Sequence, residues 1–168
     1  IRPRDLRQIG VSPSYLGHLM SRGELIRSSR GLYTLATFEL TQDHTLVEAV
    51  RTQPKGVVCL LSALAFHHVG TQLPHQVWLA VPFGSWIAKP SGIPIRTVVM
   101  RHDGYFPGIE RHQIEGVEVP VYSVAKTIAD CFKFRQTIGI GVAIEALREA
   151  LRDRRCTRGE LHRHAKAL

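Results

Sequence analysis

Three cysteines in 168 residues are too few for a disulfide framework. Cys59, Cys131 and Cys156 include no C-x-x-C pair, so no zinc ribbon is indicated either. Cys59 and Cys131 stand in apolar surroundings and read as small core residues with reduced thiols, which makes the cytoplasm the default location. No apolar run approaches the roughly 20 residues that span a bilayer, so no membrane partner is expected. The chain opens on what looks like a helix start, and no signal peptide is read there. Internal repeats and low-complexity segments are missing as well.

Catalytic signatures are also lacking. There is no P-loop lysine pattern, and Ser62 does not sit in a G-x-S-x-G elbow. Gly139-Ile140-Gly141 has Ile144 where a nucleotide fingerprint needs a third small residue, so it reads as the start of a helix. His67 and His68 are adjacent, and His162 and His164 are two apart, whereas a helical metal pair wants i, i+4 spacing. Asp103, Glu110, Glu115 and Glu118 fall in loops and a hairpin and read as solvated carboxylates. Asp130 and Lys133, one helical turn apart, suggest a weak ion pair. No catalytic residue, metal or cofactor is assigned, and the chain is not expected to be an enzyme.

Acidic residues are the minority, 14 against 22 Lys and Arg, for a net charge of +8. Residues 1–35 hold six basic and two acidic side chains, residues 148–168 hold seven and three, and residues 36–147 hold nine of each. A basic N-terminal segment joined to a neutral middle fits a nucleic-acid reader attached to a second domain. The C-terminal cluster reads more simply as a solubilising surface.

Residues 1–35 carry the strongest local signals. Arg2-Pro3 opens a helix, since Pro suits the first helical position, and Gly10 stops it. Ser12 is an N-cap and Pro13 a first residue for a second helix over residues 13–22, ended by Gly23. Leu16, Leu19 and Met20 make its expected buried stripe, with Ser14, Gly17, His18 and Ser21 opposite. Residues 25–27 and 32–35 read as two short strands around the turn Ser28-Ser29-Arg30-Gly31, with Arg27 and Arg30 at edge and tip. Two helices and a basic β-wing make a winged helix-turn-helix, which would read double-stranded DNA. The preceding helix of a three-helix winged domain is missing, from which we expect residues upstream of Ile1. The alternative is a helical hairpin and a β-hairpin packed on a larger core, without DNA.

Beyond residue 36 the pattern is an α/β domain. Residues 43–51 and 60–69 read as helices, with a short apolar run at Val57-Val58-Cys59. Strands are expected at 77–81, 95–100, 111–114 and 117–122, the last two joined by Glu115-Gly116. Pro120 places its strand at an edge or itself near the strand's end. Loops 83–94 and 101–109 are the expected mobile parts. Ser123 caps a helix to about residue 133; Ile140, Ala143, Leu147, Ala150 and Leu151 mark the apolar face of another; Thr157-x-x-Glu160 is a capping box. The fold class is mixed α/β (α+β): a winged unit over 1–35 and a larger domain over 36–168 with a small sheet and helices.

Several stretches resemble one family: RPRDLRQIG, SPSYLGHLMSRGELIRSSRGLYTL, VCLLSALAFHHVGTQLPHQVWLAVPFG, IEGVEVPVYSVAKTIADCFKFR and IGVAIEALREALRDR. They are similar to the AbiEi-type antitoxins of bacterial type IV toxin–antitoxin systems. The resemblance implies a bipartite, non-catalytic protein. Its N-terminal domain would bind inverted repeats at its own promoter and repress the operon; its C-terminal domain would antagonise a nucleotidyltransferase-like toxin. Carried over by position, the DNA-facing residues would be Ser14, Tyr15, His18 and Arg22, with Arg27, Ser29 and Arg30 from the wing. Gly17 departs from a good helix, where it costs about 1 kcal/mol relative to Ala. Two other classes stay open: a nuclease or nucleotide-modifying enzyme fused to a DNA reader, which needs converging carboxylates, and a protein-interaction module, which needs an apolar patch over Ser14 and His18.

Overall fold

A seven-residue helix, α1 (Tyr15–Ser21), and an antiparallel hairpin of β1 (Leu25–Ser29) and β2 (Leu32–Leu35) carry the N-terminal part of the chain. The computed structural model describes residues 10, 12, 14–29, 32–36, 42–88 and 92–166. It divides into two compact units, Ile1–Thr41 and Gln42–Leu168. In the smaller unit Leu16 packs on Leu25, with Leu19 and Tyr33 half-buried against them. Met20, expected in the buried stripe, is 39% exposed, because so small a core covers only a narrow strip of the helix. The helix expected over residues 3–9 and the cap at Pro13 lie outside the described residues.

The larger unit is mixed α/β, built on a five-stranded sheet. Its strands are β3 (Val57–Val58), β4 (Val77–Pro82), β5 (Ile95–Met100), β6 (Ile109–Ile114) and β7 (Val117–Tyr122), in the order β5-β4-β3-β7-β6. β4 runs parallel to β5 and β3 parallel to β7, while β3–β4 and β6–β7 are antiparallel. Successive strand residues face opposite ways, and here both ways are apolar. Val58, Leu79, Val119 and Val121 join Leu46, Val47 and Val50 of α2 (His44–Thr52) in one core. Val57, Trp78, Ala80 and Tyr122 face a second core with Leu60 and Leu64 of α3 (Leu60–Phe66), Ile128 of α5 (Val124–Lys133) and Ala143, Ala146 and Ala150 of α7 (Ile140–Arg152). A sheet covered on both faces explains why β4 reads as an unbroken apolar run.

β5 and β7 fall where the sequence places them. β7 is flanked on both sides, yet β3 reaches it only at Val121, leaving Pro120 near the strand's end with no ladder partner on that side. Glu115 and Gly116 both take positive φ, 52° and 71°, as a two-residue hairpin turn demands. α3 ends at Phe66, three residues early, where His68 and Gly70 turn the chain with φ of 52° and 78°. Loop 101–109 holds a short helix, α4 (His102–Tyr105), and a second one, α6 (Arg135–Ile138), follows α5. Gln53 ties down residues 86 and 88: its Nε2 donates to Trp86 O at 3.0 Å and its Oε1 accepts from Ala88 N at 2.8 Å. Of the apolar face expected on α7, Ile140 is exposed, while Ala143 and Ala150 are buried and Leu147 packs on the same core. The final helix, α8 (Arg158–Lys166), opens on the expected box: Glu160 N donates to Thr157 Oγ1 at 3.2 Å and Thr157 N to Glu160 Oε2 at 2.7 Å.

Candidate nucleic-acid interface

The helix α1 is framed by its own backbone chemistry. Tyr15 N donates to Ser12 O at 3.0 Å, and the Ser12 and Ser14 hydroxyls lie 2.7 Å apart. The cap falls on Ser14, two residues later than the sequence suggests, and its side chain makes no capping bond. At the other end Gly23 takes φ +71°, Gly23 N reaches Met20 O and Glu24 N reaches Leu19 O, both at 3.0 Å. These are the two bonds of a Schellman stop, which turns the chain straight into β1.

With Leu16 facing inward, the opposite side of α1 is polar and exposed: Ser14, Tyr15, Gly17, His18, Ser21 and Arg22. The Tyr15 and His18 rings lie 6.1 Å apart, and Ser21 Oγ donates to His18 O at 2.8 Å. A Cβ added at Gly17 meets nothing within 4 Å, so no contact inside the described structure requires glycine there. Arg22 is held by Glu24, Nη2 to Oε1 2.6 Å, on an exposed surface where such a pair is worth at most about 1 kcal/mol. Arg27 is exposed on β1 opposite Tyr33, beside a bulge between Arg27 and Ser29. Such a bulge strengthens the local twist. The backbone of Ser29 lies in β1, and Arg30 lies outside the described residues. The sequence-named Ser14, Tyr15, His18 and Arg22 thus share one face of α1, while Arg27 belongs to the hairpin. The Arg22–Glu24 pair carries no signal at the sequence level, since the two residues straddle the helix stop.

In the larger unit the carboxylates named above do not converge. Glu118 pairs with Arg111, Glu115 accepts from His44 Nδ1 at 2.7 Å, and Glu110 sits 3.5 Å from His112. Among the described residues no group of His, Cys, Asp and Glu is arranged to hold a metal ion. Asp130 bonds Lys126 rather than Lys133: Nζ lies 2.5 Å from Oδ1, with both side chains buried. Burial pushes the Cys59 thiol up and that of Cys131 up to about 12, so neither is a ready thiolate. No helix among the described residues is long and apolar enough to cross a membrane.

His67 contributes to the pH dependence of this unit, alongside His164, whose pKa burial also lowers. The His67 Nε2–H donates to Tyr122 O at 2.7 Å. Burial lowers its pKa, outweighing the raising effects of the Tyr122 carbonyl and Glu110, with His112 and Arg155 lowering it further. The unfolded state therefore takes up a proton first as pH falls through about 6.5, and stability drops below that point. The expected result is a Tm that falls from pH 7.5 to 5, with a flatter profile in His67→Gln, whose amide can still donate to Tyr122 O. A profile equally steep in the variant would assign the loss elsewhere.

Residues 1–36 match the family model described as transcriptional regulator, AbiEi antitoxin. The match supports the AbiEi-type resemblance drawn from the sequence and covers α1 and both strands of the hairpin. The similar segments between residues 58 and 154 lie outside it. No curated protein matches the chain.

Proposed function

We propose that the N-terminal unit is a winged helix-turn-helix and that the protein is a DNA-binding repressor and antitoxin. In this reading α1 enters the major groove, presenting Ser14, Tyr15 and His18 to base edges with Arg22 at its end against a phosphate, and the hairpin is the wing, with Arg27, Ser29 and Arg30 against phosphates. The operator is an inverted repeat in its own promoter, and the antagonised toxin resembles a nucleotidyltransferase. The observation that carries the reading is the exposed polar face of α1 together with an exposed Arg27 on the hairpin, within the segment that matches antitoxin regulators.

The test is fluorescence anisotropy on the promoter fragment across a salt series. Arg22→Ala/Arg27→Ala weakens binding to every sequence and lowers the slope of log K against log salt by about 2, since each phosphate contact contributes about 0.9. His18→Ala changes which sequence is preferred. Glu24→Gln frees Arg22 and tightens binding. Full affinity at low salt in the double arginine variant would remove the wing and helix assignment. Rescue of toxin-expressing cells by that same variant separates antitoxin work from promoter binding.

A further inference from the structure

Three helices of the larger unit, α5, α7 and α8, with the first residue of α6, flank an open groove of about 590 Å³. Its floor is apolar: Ile128, Phe132, Leu147, Leu151 and Leu161. The rim is cationic, formed by Lys133, Arg135 and Arg158, with His162 beside them, and among the described residues no carboxylate lines it. This one-sidedness is built by the fold. The acidic residues of the same helices are turned away and engaged: Asp130 on Lys126, Glu149 on Gly70 N, Glu145 on the Thr71 hydroxyl, Asp153 on Arg152 and Glu160 in the α8 cap. Lys133 and Arg158 form no salt bridge among the described residues, although the Lys133 ammonium lies 5.9 Å from the Phe134 ring centroid and its charge reaches Asp130, and Arg135 uses one N–H on Phe132 O.

We propose that this groove docks an acidic amphipathic helix of a partner protein. Leucine-type anchors spaced i, i+4, i+7 would seat on the floor, and flanking carboxylates would meet the rim cations. The groove is open to solvent, which suits a helix better than a small ligand that must be mostly enclosed. A second copy is disfavoured by charge, since a two-fold contact sets Lys133, Arg135 and Arg158 against themselves in a chain of net charge +8. The proposal does not depend on the DNA reading, because no groove residue belongs to the N-terminal unit.

The experiment titrates the full chain with two labelled helical peptides of about five turns, with leucines at i, i+4 and i+7 and either Glu or Lys elsewhere. The Glu peptide binds, loses about tenfold or more in affinity to Lys133→Glu/Arg158→Glu, and the Lys peptide gains on that variant. Both substitutions are at exposed positions, and a thermal melt by circular dichroism verifies the fold. Ala165→Trp, which fills the groove without changing charge, also abolishes Glu-peptide binding. Equal binding of the two peptides, or indifference to charge reversal, overturns the proposal. So does dodecanoate saturating the groove where the Glu peptide fails, or sedimentation showing a self-associated chain that Ala165→Trp dissociates.

Discussion

Asp130→Ala will destabilise the Gln42–Leu168 unit by about 3–5 kcal/mol, the range for breaking one side of a buried ion pair. Lys126 is 1% exposed and Asp130 0%, one helical turn apart on α5. Removing the carboxylate strands a buried ammonium that lies 5.0 Å from the Tyr122 ring centroid, on a stem packed so closely under Gly108 that an added Cβ there would lie 2.7 Å from that of Lys126. Burial pushes the Asp130 carboxyl up against the lowering effect of Lys126, and its Oδ2 has no hydrogen-bond partner. An incompletely satisfied pair returns little beyond its own desolvation cost. Lys126→Met/Asp130→Leu should therefore restore wild-type stability or exceed it. Urea denaturation followed by the fluorescence of buried Trp78 reads both variants. A loss below about 1 kcal/mol in Asp130→Ala would mean that Lys126 reaches solvent.

That pair also shows where sequence reading stops. Lys126 and Lys133 are both about one turn from Asp130, so spacing alone does not choose between them; burial on the sheet does. The bounds of β5 and β7 were legible because Gly and Pro punctuate them and their residue types suit strands. The Glu115-Gly116 turn and the Thr157–Glu160 box were legible because each is a local bond pattern. α4 and α6, four residues each, are too short to show a period. Met20 was misplaced because 3/4 spacing assumes a core broad enough to cover the whole stripe. The groove had no sequence signature, since its floor comes from three helices and its charge from where the acids of those helices turn. The polar face of α1 was legible as a pattern, but Glu24 holding Arg22 was not.

Leu16→Ala will unfold the N-terminal unit while the rest of the chain melts as before. Truncating a buried leucine costs about 2–5 kcal/mol, and so small a unit has little stability in reserve. Among its described residues only Leu16 and Leu25 are buried apolar side chains, at 4% and 3% exposure. Amide exchange over residues 15–35 should lose its protection, with no change in the transition reported by Trp78. The DNA reading adds a quantitative corollary. Apparent affinity scales with the fraction of molecules whose reading unit is folded. Leu16→Ala must then weaken binding to all sequences by one common factor and leave the sequence preference intact, whereas His18→Ala shifts preference with the unit still folded. Wild-type affinity in a Leu16→Ala protein whose α1 amides exchange freely would place the DNA-binding surface on some other part of the chain.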